Sequence, residues 1–411
     1  MDPTLPSISS LADVSLLIAL VLVTAKVGGE LAARLGQPPV LGELMGGMAL
    51  GNLPLSPLHG SGAHPSVDLL AGLGALILLF QVGVESTVRG VLEVGVAAAR
   101  VAVLGTVGTF AAGWVLLAAL APSLGLPSRV FLAASLTATS IGISARVLKD
   151  LGRADSKDGR TILGAAVIDD VIALVVLAMV TGWVTDRATG AAASPWSFLW
   201  ILAKTLGFLG VSIALGVLGT PRLFAGAARL RTPGAQLGVA LALCFFMAWA
   251  ASLVGLAPLV GAFAAGLVLE ERHSAAFVAR GERSLEELLQ PLSSFLVPIF
   301  FVVMGLRADL RVLVGTDTFA LLTALLVAAV AGKAVCALGA ARGADRTVVA
   351  LGMMPRGEVT LIFASLGLTL VSGGAPLLDR RAYSALVAVV VATTLLTPTL
   401  LERRLRRAAL S

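Results

Sequence analysis

Residues 161–181 read TILGAAVIDDVIALVVLAMVT, an apolar run on every helical face that still carries two adjacent carboxylates, Asp169 and Asp170, near its middle. A helix of that length crosses a bilayer core at ~1.5 Å per residue. One ionised aspartate at its centre costs ~2.5 to 3.5 kcal/mol on insertion scales, and a second beside it adds repulsion. With the helix starting near Thr161, Asp170 lies roughly 13 Å from that end, too deep for a short side chain to reach water. The pair must therefore meet water, a cation, a proton or a basic partner inside the protein. A soluble helix end would carry such a pair easily, but the flanking apolar sequence is too long for one.

Composition extends this reading to the whole chain. Of 411 residues 57% are hydrophobic and only 13% charged, with a mean hydropathy of +0.97, whereas a soluble domain is about a quarter charged. The fold class is an all-α polytopic membrane protein. The 45 glycines supply small surfaces on which membrane helices approach closely. The formal charge of +6 is no nucleic-acid signal, because the basic residues sit in short loops between apolar segments. Cys244 and Cys336 fall inside apolar spans and suggest neither a disulfide framework nor a metal site; His59, His64 and His273 lie in loops and match no ligand spacing. Met1-Asp2-Pro3 lacks the positive region of a cleaved signal, so the first span is expected to be retained. No cofactor is expected.

Thirteen spans can be counted, at 11–34, 38–53, 67–84, 101–121, 129–148, 161–183, 196–218, 235–254, 257–270, 291–306, 319–340, 347–371 and 382–400. An odd count places the termini on opposite sides. Twenty of the thirty basic residues fall on one side, among them Arg89, Arg100, the cluster from Arg146 to Arg160, Arg222, Arg231, Arg272 and Arg403 to Arg407; six fall on the other. The expected topology has the N-terminus outside and the C-terminus in the cytoplasm. Four basic residues remain within spans: Lys26 and Lys204, which can reach an interface, and Lys333 and Arg356, which lie deep.

The ninth span repeats the second. PVLGELMGGMAL from Pro39 aligns with PLVGAFAAGLVL from Pro258, with Gly42/Gly261, Gly47/Gly266 and Leu50/Leu269 in register, and Gly83 and Gly305 close the third and tenth spans. An offset of seven spans predicts two inverted six-helix repeats, 11–184 and 234–404, joined by a linker helix at 194–219. Span five then pairs with twelve. The fifth holds Thr137, Ala138, Thr139 and Ser140, and the twelfth holds Met354-Pro355-Arg356-Gly357-Glu358. Both predict interrupted helices, whose freed backbone groups are met by hydroxyls and charges; Arg356 and Glu358 would neutralise the half-helix ends or each other.

These motifs carry a resemblance. VIDD at 167–170, TATS at 137–140, Lys333 in AGKAVCALGA, MPRGEV at 354–359 and PVLGELMGGMALG at 39–51 resemble the monovalent cation:proton antiporter-2 family, and most closely its NapA-type Na+/H+ antiporters. The resemblance implies an NhaA/NapA-like fold with crossed interrupted helices. It implies a mobile core from 101–183 and 319–400, a scaffold that forms a homodimer, and a bacterial cytoplasmic membrane. It implies Asp170 as the carboxylate that binds Na+ and protons, and Asp169 as its neighbour paired with Lys333. Thr137, Thr139 and Ser140 are candidate ion ligands, and Arg356 and Glu358 belong to the helix crossing and pH response. Glutathione-gated potassium efflux relatives carry Gln where Asp169 stands and append a soluble nucleotide-binding domain. This chain ends shortly after its last span, which favours an ungated exchanger.

The residue chemistry agrees. Neighbours on a helix point about 100° apart, so one aspartate can address an ion while the other addresses a basic partner. Na+ takes hard oxygen ligands such as carboxylate, hydroxyl and water. A buried carboxylate beside another holds protons more readily, so proton and cation compete for one group. That competition predicts exchange of Na+, or Li+ in its place, for H+, and a second titrating group coupled to the site, Asp169 or Lys333, would raise this to two H+ per Na+; K+/H+ exchange uses the same ligand types. A channel lacks its repeated pore loop here. An intramembrane aspartyl protease needs its carboxylates on two facing helices. No enzymatic activity is expected.

Overall fold

The length and hydropathy of the apolar runs dictate helices, because only internally hydrogen-bonded backbone is stable in lipid. The computed structural model describes residues 11–53, 65–86, 95–188, 195–230, 234–269, 277, 279–280, 282–372 and 374–408. His59, His64, His273, Arg89, Arg231, Arg272 and the residues from Met1 to Pro3 lie outside the described residues. Nine described helices are long and apolar enough to cross a membrane. They are α1 (Leu11–Arg34), α3 (Pro65–Glu85), α4 (Val96–Leu120), α7 (Lys157–Ala188), α8 (Pro195–Ala227), α9 (Ala235–Leu253), α11 (Leu285–Leu306), the segment from α12 (Thr316–Val327) to Gly339, and α15 (Arg380–Ala408). The remaining expected spans fall on shorter helices: α2 (Pro39–Asn52), α10 (Pro258–Leu267), the broken pair α5 (Leu126–Ser135) and α6 (Ile141–Asp150), and the broken pair α13 (Arg346–Gly352) and α14 (Glu358–Thr369).

The outward faces are apolar. On α8 the exposed residues include Leu206, Val211, Leu215 and Leu218 while Thr205 and Ser212 are buried, the reverse of a soluble helix. Arg222, expected in a loop, lies inside α8, and its guanidinium turns back to the Leu218 carbonyl. The twelfth span is not helical to its end. After Thr369 the chain forms a two-residue hairpin, Val371–Ser372 with Ala375–Pro376, around Gly374 at φ 84°.

Two compact units divide the chain. The first holds Met1–Leu78 and Gln290–Leu310. In it α1 and α2 touch backbone to backbone at Gly28 and Gly42, Arg307 pairs with Asp68 at 2.6 Å, and Asn52 bonds both the Ala308 carbonyl and the Leu310 amide. The second holds Leu79–Leu289 and Arg311–Ser411, and so contains the whole of 101–183 and 319–400. Within it α4 packs on α7 and on the segment after α12. That segment changes from α to a π turn at Ala328–Gly332 and to a 3₁₀ turn at Val335–Gly339.

Candidate functional site

α7 begins at Lys157, four residues earlier than the apolar run suggests. Ser156 caps it, its hydroxyl accepting from the Gly159 amide at 3.0 Å. Asp170 therefore lies about 20 Å along the helix from its start at ~1.5 Å per residue. The two carboxylates face different surroundings. Asp169 is 1% exposed and accepts Lys333 Nζ on both oxygens, at 2.9 and 3.0 Å. The Thr106 hydroxyl on α4 adds a third bond at 3.2 Å. Lys333, with no exposure, also donates to the Thr137 carbonyl at 2.9 Å. Asp170 is 8% exposed, and among the described residues no hydrogen bond or ion pair engages its carboxylate. A buried charge without a protein partner is satisfied by water, a proton or a cation.

The two interruptions meet beside this pair, and their freed backbone groups find partners. The Ser140 amide donates to the Pro355 carbonyl at 3.0 Å. The Thr139 hydroxyl donates to the Met353 carbonyl and the Ser144 hydroxyl to that of Gly352. On α15, Thr393 accepts from the Arg356 amide at 3.1 Å and Thr394 donates to the Arg356 carbonyl at 2.9 Å. The Arg356 guanidinium, fully buried, donates to the carbonyls of Ala138 at 3.2 Å and of Ala329, in the π turn, at 2.9 Å. The arginine thus meets one carbonyl freed at the first interruption and one in the π turn. It makes no ion pair among the described residues, and Glu358 instead accepts from the Ser140 hydroxyl at 2.9 Å.

The structure thus brings Asp169, Lys333 and the Thr137 backbone to one point, and Ser140, Arg356 and Glu358 to the crossing. The hydroxyls of Thr137, Thr139 and Ser140 donate to Ala134, Met353 and Glu358, and no hydrogen bond joins them to Asp170 among the described residues. Their oxygens keep lone pairs for a cation. Thr106, Thr393 and Thr394 were missed; each is a threonine in an apolar span, the signal that singled out TATS. Cys244 and Cys336 are free thiols, both buried.

Outside the spans, Asp345 ties three elements. Its amide donates to Asp158 in the first turn of α7 at 2.7 Å, its carboxylate accepts the Thr347 and Val348 amides at the start of α13, and Arg404 of α15 bonds its other oxygen at 2.8 Å. Partial burial pushes its carboxyl up, but the two amides and Arg404 outweigh this and hold it below the ordinary value of 3.8.

A profile of the family described as sodium/hydrogen exchanger, transmembrane, matches residues 17–406. The chain is 35% identical to the high-affinity Na+/H+ antiporter NhaS3 of Synechocystis, over 94% of this chain and 89% of that protein. It is 31% identical to the Na+/H+-K+ antiporter GerN of Bacillus cereus, over 94% of each. The structure of the sodium proton antiporter MjNhaP1 of Methanocaldococcus jannaschii at pH 8 aligns with a TM-score of 0.70 at 16% identity, covering 98% of this chain and 99% of that one, a likeness of fold.

Proposed function

We propose that this chain, which belongs to the transmembrane sodium/hydrogen exchanger family, exchanges Na+, with Li+ as a second cation, for H+ at Asp170. As a member it is a multi-pass membrane transporter of monovalent cations and protons, and not an enzyme. The observation that carries the reading is the contrast within one residue step: Asp169 is saturated by Lys333 and Thr106, while Asp170 is buried and, among the described residues, has no hydrogen-bond or ion-pair partner. A bare carboxylate in that position takes a proton or a cation, one excluding the other, and a core carrying either is neutral enough to cross.

The finer parts of the proposal are thirteen crossings in two inverted repeats, a mobile core of 101–183 and 319–400, and a homodimeric scaffold. The chain would sit in the cytoplasmic membrane with its N-terminus outside. Matched contacts support the repeats. Gly47 of α2 abuts the Val302 carbonyl of α11, and its counterpart Gly266 of α10 abuts the Phe80 carbonyl of α3. Gly305 abuts the Leu44 carbonyl, and its counterpart Gly83 abuts that of Phe263. Each contact joins one repeat to the other, and each has an equivalent in which the two repeats exchange roles.

K+/H+ exchange is the second reading, favoured by the likeness to GerN. The test is a pH dye enclosed with the purified protein in liposomes and challenged with Na+, Li+, K+ or Rb+. Dequenching by Na+ and Li+ at lower concentrations than K+ is expected. Equal or stronger response to K+ replaces the first reading with the second, and no response to any cation removes both.

A further inference from the structure

Thr106 binds the same oxygen of Asp169 that receives Lys333, at 3.2 Å against 2.9 Å, so two donors from different elements converge on Oδ1. The residue before it, Gly105, makes the room. A Cβ there would lie 3.1 Å from Lys333 Cε and 3.2 Å from its Cδ. α4 therefore admits the lysine with one residue and grips the carboxylate with the next. Asp170 has no such donor among the described residues. One turn further along α4, Thr109 is fully buried and its hydroxyl has no partner among the described residues. The two threonines lie on one helix face, three residues apart.

We propose that Thr106 is a positioning residue that holds Asp169 against Lys333 and away from the cation, and so sets how tightly the site binds and how readily it releases. The inference rests on the reading of Asp170 as the cation carboxylate. A carboxylate turns freely about its Cβ–Cγ bond unless donors fix it, and hard cations gain from every added carboxylate oxygen. Lys333 can move away on its flexible stem. Thr106, on a short side chain of a packed helix, stays. Without it the only tie on Asp169 among the described residues is the lysine, and Asp169 becomes free to join Asp170 around an arriving cation.

Thr106→Val keeps the shape and removes the hydroxyl. The expected result, measured as Na+-dependent proton flux in liposomes, is a fall in KM on the order of three- to tenfold with a fall in turnover, because a tighter site releases more slowly. Thr106→Ser, which restores the hydroxyl, should return both constants toward wild type. Thr109→Val makes the same chemical change one turn away at an orphaned hydroxyl and should leave KM where it was. A Thr106→Val protein with unchanged or raised KM, or a Thr109→Val protein with the same fall, overturns the inference while wild-type exchange still stands. A wild type that exchanges no cation overturns the functional reading itself.

Discussion

At the residue scale, Asp169 and Asp170 differ in surroundings rather than chemistry, and removing either charge should have different consequences. Asp170→Asn leaves the shape of a side chain that no donor engages among the described residues, so the protein should fold and express normally. It cannot hold a proton for exchange, and Na+-driven proton flux should fall to the background of empty liposomes; flux above that level in the purified variant sinks the assignment. Asp345 makes the opposite kind of prediction. Its carboxyl is held below the ordinary value, so it contributes stability that is present above the unfolded value of about 3.9 and is lost as pH falls through the lower folded value. Asp345→Asn should lower the melting temperature of the detergent-solubilised protein at neutral pH, and the gap from wild type should close below pH 4. A gap that stays constant down to pH 3 would show that ionisation of the Asp345 carboxyl is not its source.

At the element scale, the crossing of the two broken helices depends on close approach. A Cβ on Gly357 would lie 2.5 Å from Ser140 Cβ and 2.6 Å from its Oγ, whereas one on Gly142 meets nothing within 4 Å. Gly357→Ala should destabilise by about 1–3 kcal/mol through overpacking and cut transport, while Gly142→Ala, in the first turn of α6, should be neutral or mildly stabilising. Equal thermal stability for the two variants would mean that the crossing relaxes at no cost. The breaks themselves were legible because Pro355, Gly357 and the hydroxyls of TATS are out of place in a spanning helix. The π turn at 328–332 was not, because its residues are ordinary Ala, Val and Gly. Its partners are tertiary: the Ala329 carbonyl bonds Arg356, and Gly332 lies against Gly108 and Thr109 of α4. The early start of α7 was hidden because Lys157 and Asp158 read as loop, while Ser156 and the Asp345 tie make them a first helical turn.

At the scale of the whole molecule, the question is how much charge one cycle moves. Exchange of one H+ for one Na+ moves none, whereas two H+ per Na+ moves one, worth ~2.3 kcal/mol per 100 mV of membrane potential. A second proton needs a second titrating group coupled to the site. Lys333 is suited to that role by position: it has no exposure, its ammonium is held by Asp169 and one backbone carbonyl, and it lies between two irregular turns of its own segment. An ammonium that loses its carboxylate partner in a dry interior sheds its proton. Positive charge arriving at Asp170 would weaken the hold of Asp169 on the Lys333 ammonium while Thr106 keeps the Asp169 carboxylate in place, so one bound Na+ displaces two protons. Wild-type protein on a solid-supported membrane should therefore give a charge displacement on addition of Na+, and an imposed potential should drive exchange without a pH gradient. Lys333→Gln keeps a side chain that can bond Asp169 but cannot titrate, and should leave slower, voltage-insensitive exchange or none. Full voltage dependence in that variant would pass the second proton to Asp169, and a wild type with no charge movement would make the exchange one for one.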